Sequence, residues 1–256
     1  MTDHPVTTDQ PKPTVNFKRH PYWVRITHWI ITISFLALLY SGVEILMVHP
    51  RLYWGNAGND LTPALFELPI SRNYHHHGWD KPRPFFASAG SPVSASRTYE
   101  IFNQNGWGRS LHFLSGWGLI VTGLLYLLAG ISTGHFRKRL LPRSTEFSAR
   151  LWIKDFAGHF QKIPPVAGDR YGLLQKYTYL AVIFGLLPLA VMTGMTMSPA
   201  ITAAWPFLLT LFAGAQSART IHFFVSLALV AFVTVHVVMV ARSGFKKQMR
   251  SMTFDT

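Results

Sequence analysis

The chain has no cysteine in its 256 residues. That absence excludes disulfides, thiolate-held iron–sulfur clusters and covalent thioether attachment of a cofactor, so any such centre must belong to another protein. Charge is scarce as well, at 14% of residues against 49% hydrophobic, and acids are the rarer sign, with 11 Asp and Glu against 24 Lys and Arg. The charges are missing from long stretches rather than thinly spread, which is a membrane composition. The first twenty residues are polar and contain no apolar run, which argues against a cleaved signal peptide.

Four segments of about 20 residues pass the length test for a spanning helix: Trp29 to Val48, Ser110 to Ile131, Tyr177 to Ser198 and Ile221 to Ala241. Among them only Glu44 carries a formal charge. Basic residues gather before the first span (Lys12, Lys18, Arg19, Arg25), between the second and third (Arg137 to Lys176) and after the fourth (Arg242, Lys246, Lys247, Arg250). These are alternate sides of a membrane, so four spans put both termini in the cytoplasm. A fifth apolar run, Ile201 to Ala213, is too short to span and contains Pro206, and reads as an interfacial or re-entrant piece. The net charge of +13 then reads as positive-inside bias and contact with anionic lipid, with no nucleic-acid partner.

The expected organisation is an all-α four-helix transmembrane bundle. Residues 1–21 form a polar cytoplasmic tail and residues 22–256 one membrane domain, with a long periplasmic loop at 49–109 and a cytoplasmic connection at 132–176. The loop is rich in proline and in aromatics such as Trp54, Trp79, Phe85 and Phe86, more than an unstructured linker holds, so part of it should pack on the domain or on another protein. In the cytoplasmic connection Trp152, Phe156, Phe160 and Ile163 recur at helical spacing. That pattern fits equally a helix lying on the inner membrane surface and an ordinary surface helix.

His222 and His236 lie fourteen residues apart on the fourth span. Fourteen residues is close to four helical turns, which puts both imidazoles on one face roughly 21 Å apart, one near each membrane surface. Orientation gives the other histidines a depth. His28 starts the first span on the cytoplasmic side, level with His236, and His112 starts the second on the outer side, level with His222. Two depth-matched pairs, each with one member on the fourth helix, are what two bis-histidine haem sites in a bundle require. Isolated intramembrane histidines serve more often as hydrogen-bonding glue or proton relays. Four of them, matched in depth, favour haem iron.

Gly42 follows His28 by fourteen residues, at the level of the outer pair, where a flat porphyrin needs a bare backbone; Gly116, Gly123 and Gly130 follow His112 along one face. Close helix packing would select the same glycines. Arg25, Arg109 and Arg219 each precede a histidine by one turn, within reach of a haem propionate, although arginines also flank spans simply as anchors. Glu44 is a candidate for a proton path or an ion pair, or for snorkelling to water. His75, His76 and His77 form a short loop cluster, and consecutive residues cannot all face one ion on a regular element.

The stretches Arg25-Ile-Thr-His28-Trp29, Arg109-Ser-Leu-His112, Tyr171-Gly-Leu-Leu-Gln-Lys-Tyr177 with Gly185-Leu-Leu-Pro188 and Met195-Thr-Met-Ser-Pro199, and Gln216-Ser-Ala-Arg-Thr-Ile-His222 with His236 resemble the bacterial di-haem cytochrome b superfamily. That superfamily takes in cytochrome b561 and the membrane subunits of nickel–iron hydrogenases and formate dehydrogenases; the likeness is nearest to its thiosulfate reductase cytochrome b branch. The resemblance implies an inner-membrane bundle with two b haems, ligated at His28, His112, His222 and His236. It also implies electron transfer between the quinone pool and a periplasmic redox subunit, often a molybdenum enzyme, with quinone near the cytoplasmic haem. The alternatives are a free-standing cytochrome b acting on a small molecule and a haem-free transporter relaying protons through the histidines.

Overall fold

The computed structural model of the protein describes residues 20–58, 62–70, 105–142 and 173–253. The N-terminal tail to residue 19, His75 to His77, the loop aromatics Trp79, Phe85 and Phe86, and the amphipathic stretch around Trp152 and Phe156 lie outside the described residues. Four helices are long and apolar enough to cross a membrane: α1 (Tyr22–Val48), α2 (Asn105–Ser132), α3 (Leu173–Thr196) and α6 (Ala215–Arg242). In hydrocarbon every backbone polar group must be satisfied within its own segment, which is why the apolar runs become helices. Between α3 and α6 run two short helices, α4 (Pro199–Ala204) and α5 (Phe207–Leu211), and α7 (Phe245–Met252) follows α6.

Helix faces are sorted in the membrane sense. α2 exposes Phe113, Leu114, Trp117, Val121, Leu124, Leu125, Leu128 and Ile131, a stripe at three- and four-residue spacing, and buries Ser115, Leu119 and Thr122 on the other side. Small hydroxyl residues therefore line the interior: Ser34, Ser41, Ser115, Thr122, Thr193, Thr196, Ser217 and Thr220 are all buried. Their short side chains let helices approach, and their hydroxyls return to the preceding turn, as Ser41 Oγ does to the Ala37 carbonyl at 2.7 Å and Thr196 Oγ1 to that of Met192 at 2.8 Å. α1 packs along α2, and α3 along α6. An apolar cluster of Val182, Val225 and Leu229, with Phe35 of α1 against it, ties the two helix pairs together.

α3 is not uniform. Val182–Leu186 is π-helical, and the Leu187 N–H reaches back to the Val182 carbonyl. Pro188 follows; it has no N–H and its ring crowds the carbonyl four residues back, so a wide turn just ahead of it relieves both faults. One extra residue rotates the rest of α3 by about 100°.

The run at 201–213 does not add a span. It is broken at Trp205–Pro206 into α4 and α5, and Leu208 and Phe212 are buried with Ala218 against Met192 and Met195. It packs on α3 and the start of α6, in keeping with a run too short to span. The spans differ from expectation at their starts, because α1 and α6 begin at Tyr22 and Ala215, seven and six residues ahead of the apolar runs read from sequence. Hydropathy marks where the chain enters hydrocarbon, whereas the helix continues through the polar boundary and carries Arg25 and Arg219 with it.

The beginning of the outer loop folds onto the domain. Arg51–Leu52 and Phe66–Glu67 form a two-stranded antiparallel hairpin, β1 and β2, held by an ion pair from Arg51 Nε to Glu67 Oε1 at 3.1 Å. The chain after β1 lies across the start of α6. There the Gly55 carbonyl accepts from the N–H groups of Gln216 and Ser217 at 2.9 and 3.2 Å, donors that no helical partner could satisfy. Thr220 Oγ1 donates to the Tyr53 carbonyl at 2.6 Å, and Ser217 Oγ accepts from Gly55 N at 2.6 Å. Gly214 permits this approach: its φ is +113°, and a Cβ there would stand 2.4 Å from the Gly55 backbone.

Candidate functional site

Two histidine pairs face each other across the bundle. His28 of α1 and His236 of α6 have ring centres 6.5 Å apart, and His112 of α2 and His222 of α6 have ring centres 6.3 Å apart. These are the pairs that depth alone predicts. Two imidazoles bound on opposite sides of one metal ion, at about 2 Å each, have ring centres roughly 6 Å apart. Among the described residues no group of three His, Cys, Asp or Glu gathers around a point that could hold an ion. Opposed pairs without further protein ligands suit an ion whose remaining ligands come from a planar macrocycle.

The outer pair is held in one tautomer. His222 Nδ1 lies 3.0 Å from the Ala190 carbonyl, an acceptor only, so this nitrogen must carry the proton. Thr193 Oγ1, also 3.0 Å away, gives its own proton to the Leu189 carbonyl at 2.7 Å and offers a lone pair to the same N–H. His112 repeats the arrangement with α1: Ser41 Oγ donates to the Ala37 carbonyl at 2.7 Å and so accepts from His112 Nδ1 at 3.0 Å. Both Nε2 atoms are left with a lone pair, as metal ligation requires, and a hydrogen bond at the far nitrogen fixes ring orientation and strengthens the donor. Ser41 and Thr193 are 0% exposed.

Each hydroxyl is followed by a glycine turned to the same ring. A Cβ on Gly42 would stand 3.6 Å from His112 Cε1, and one on Gly194 3.5 Å from His222 Cε1. Gly42 thus lies beside the ring of His112; Gly194, Ser41 and Thr193 escaped the sequence reading. Their signal is present, because Ser41-Gly42 and Thr193-Gly194 are matching hydroxyl–glycine pairs, each opposite an outer histidine. At Gly116 and Gly123 a Cβ would meet nothing within 4 Å, so close packing of helices does not account for them, whereas Gly130 makes room for the ring of Phe136.

The inner pair has a different setting. Trp29 stands edge-on to His28 at 5.5 Å, and Phe232 stacks on His236 at 5.9 Å. His28 Nδ1 is buried without a hydrogen-bond partner, an orphan that a bound group or water would be expected to satisfy. The end of α7 and the residue after it close this end: Trp29 Nε1 donates to the Met252 carbonyl at 2.9 Å and Arg25 Nη1 to that of Thr253 at 2.7 Å.

The three arginines separate. Arg25 is buried, bonded to Thr253 and set over the Tyr22 ring at 4.7 Å, while Arg219 donates to the His49 carbonyl. Arg109 is exposed, one turn outward of His112. Two of the three thus bond the protein's own backbone, as anchors of the chain ends around each pair. Glu44 does not snorkel: it is 0% exposed, accepts from Tyr40 OH at 3.2 Å, and points its other oxygen at Gly108 of α2.

A family model described as prokaryotic cytochrome b561 matches residues 19–255. Among curated proteins, one of Azospira oryzae whose name is that of a protein-methionine-sulfoxide reductase subunit, YedZ1, is 28% identical over 223 residues, covering 87% of this chain and 89% of its own length. No solved structure matches the chain.

Proposed function

The chain belongs to the prokaryotic cytochrome b561 family, and from that premise we propose that it holds two b haems and moves electrons between the membrane quinone pool and a periplasmic oxidoreductase subunit. Membership makes it a multi-pass haem protein of the bacterial inner membrane with a role in electron transport. The number of haems, their ligands and the quinone link are our own reading. The observation that carries it is the pair of ring separations, 6.5 Å for His28 with His236 and 6.3 Å for His112 with His222.

In this reading His28 and His236 hold the cytoplasmic-side haem, and His112 and His222 the periplasmic-side haem. Haem b supplies one-electron chemistry through its iron. The chain's own residues do the rest. α6 carries one ligand of each pair and thereby fixes their spacing, roughly 21 Å along the helix. Ser41, Thr193 and the Ala190 carbonyl hold the outer imidazoles with Nε2 directed inward and raise their basicity, which favours the oxidised state of the iron they ligate. Gly42 and Gly194 keep the helix surface flat beside the outer rings. Arg109, exposed one turn from His112, is placed to meet a propionate; Arg25 and Arg219, each one turn from a ligand, are assigned the same role. Quinone is assigned to the cytoplasmic side near Trp152 and Phe156.

The absence of cysteine puts the next redox centre in another protein. The Azospira relative's name is that of a subunit, which supports a partner protein for this chain. The test is stoichiometric and kinetic: haem extracted from the purified chain should amount to two b haems per polypeptide, both reduced by a quinol analogue in vesicles. A single haem, or reduction by dithionite but never by quinol, contradicts the proposal.

A further inference from the structure

Glu44 sits three residues beyond Ser41 on α1, one turn outward of the outer histidine pair, and its carboxyl is enclosed on every side. Tyr40 OH donates to Oε1 at 3.2 Å. Tyr40 is itself stacked on Trp107 of α2 at 5.8 Å, which fixes the donor. Oε2 is buried with no hydrogen-bond partner, and α2 opens a notch for it at Gly108, where a Cβ would come within 2.2 Å of that oxygen. The cations at this end are turned elsewhere: Arg51 pairs with Glu67, Arg219 with the His49 carbonyl, and Arg109 is exposed beside Gly108. Tyr40 is thus the one ionisable group among the described residues bonded to Glu44.

The Glu44 carboxylate is held by a single hydrogen bond with its second oxygen unpartnered, so a change in nearby charge decides whether that oxygen carries a proton. Its notch faces His112's helix one turn from that ligand, so added negative charge in the outer site reaches it through protein rather than water. At about 10 Å and an effective dielectric near 20, one unit charge changes proton affinity roughly tenfold. We propose that Glu44 is the proton acceptor coupled to the outer electron site. When an electron from quinol is held there, the proton affinity of Glu44 rises about tenfold and it takes up roughly half a proton per electron at Oε2, released when the electron passes to the partner. Proton uptake at Glu44 therefore follows electron occupancy of the outer site. This rests on the proposed haem at His112 and His222.

Potentiometric titration of the purified holoprotein over a pH series tests it, with haem content measured first. In the wild type the outer component's midpoint should fall with pH inside one window, by about 30 mV per tenfold drop in proton concentration, half the ~59 mV of a full one-proton, one-electron couple, while E44Q should give a flat line. Redox-difference infrared spectra should show a carboxyl band in the wild type that E44Q lacks. Y40F keeps the acid and should keep the slope with its window moved. An unchanged slope in E44Q with both haems bound overturns the proposal, as does a flat wild type. If E44Q does not fold, the wild-type infrared band and the Y40F window decide alone, and absence of either counts against it. A wild type without a haem at His112 and His222 refutes the site reading itself and is distinguished by the haem count.

Discussion

Replacing Ser41 with alanine removes one hydroxyl and should loosen one haem. Ser41 Oγ accepts from His112 Nδ1 at 3.0 Å in a position with 0% exposure, so no bulk water replaces it. Without the hydroxyl the His112 ring keeps only its weaker interaction with the Leu38 backbone, outside hydrogen-bond geometry; an under-satisfied buried donor costs up to about 1–3 kcal/mol, and loss of the bond at a ligand's far nitrogen lowers metal affinity about 10–100-fold. The two ranges overlap, since about 1.4 kcal/mol is a factor of ten. Thr193→Ala is the internal control. His222 Nδ1 keeps the Ala190 carbonyl at 3.0 Å after the hydroxyl is gone, so the same change there should cost less than about tenfold. The assay is transfer of haem from the detergent-solubilised protein to a soluble apo-globin, followed separately for the two spectral components. Faster loss of the outer component in Ser41→Ala than in Thr193→Ala, with the inner component unmoved, is the expected order. Equal effects of the two substitutions, or loss of the inner component, would refute the tautomer argument.

Gly42→Ala should keep both haems, because its Cβ would stand in ordinary contact at 3.6 Å from His112, while Gly42→Leu should lose the outer one; haem content of the two variants checks this. Replacing Trp152 and Phe156 together with alanine should slow reduction by a quinol analogue and leave dithionite reduction intact, and unchanged quinol kinetics would move the quinone site elsewhere. Deleting residues 71–104 behind a short linker spares the hairpin that caps α6. It should retain both haems and abolish co-purification of the periplasmic subunit, whereas loss of the outer haem with the partner still bound would make the loop a lid.

Much of this arrangement was legible in the sequence, for a physical reason. A membrane separates residues by depth, and the asymmetry of Lys and Arg between sides fixes the sign, so His28 could be matched to His236, and His112 to His222, before any packing was known. Hydrocarbon also forces each apolar run into a helix, which made the four spans readable, although α1 and α6 start about two turns ahead of their apolar runs. What depth does not convey is rotation. Which face of α3 meets α6 depends on the π-turn ahead of Pro188, and without that rotation Thr193 and Gly194 have no visible reason to face His222. Ser41 was hidden differently, since an intrahelical bond to Ala37 explains a buried serine well enough by itself. The arginines read as either propionate partners or anchors at the helix starts, and the bonds of Arg219 and Arg25 to the His49 and Thr253 carbonyls depend on where the outer hairpin and the C-terminal segment fold back. Trp54 likewise read as an interface anchor; it is largely exposed and lines an apolar groove with Leu65, Leu186 and Phe224, where the hairpin meets the membrane-facing side of α3 and α6.

The central claim is that four histidines form two haem sites, each shared between α6 and one other helix. Redox titration with spectral resolution of the two components, on His28→Ala, His112→Ala, His222→Ala and His236→Ala, addresses it most directly. His28→Ala and His236→Ala should remove one and the same component, and His112→Ala and His222→Ala the other. Loss of a common component by His28→Ala and His222→Ala, or retention of both components in any of the four, would contradict it.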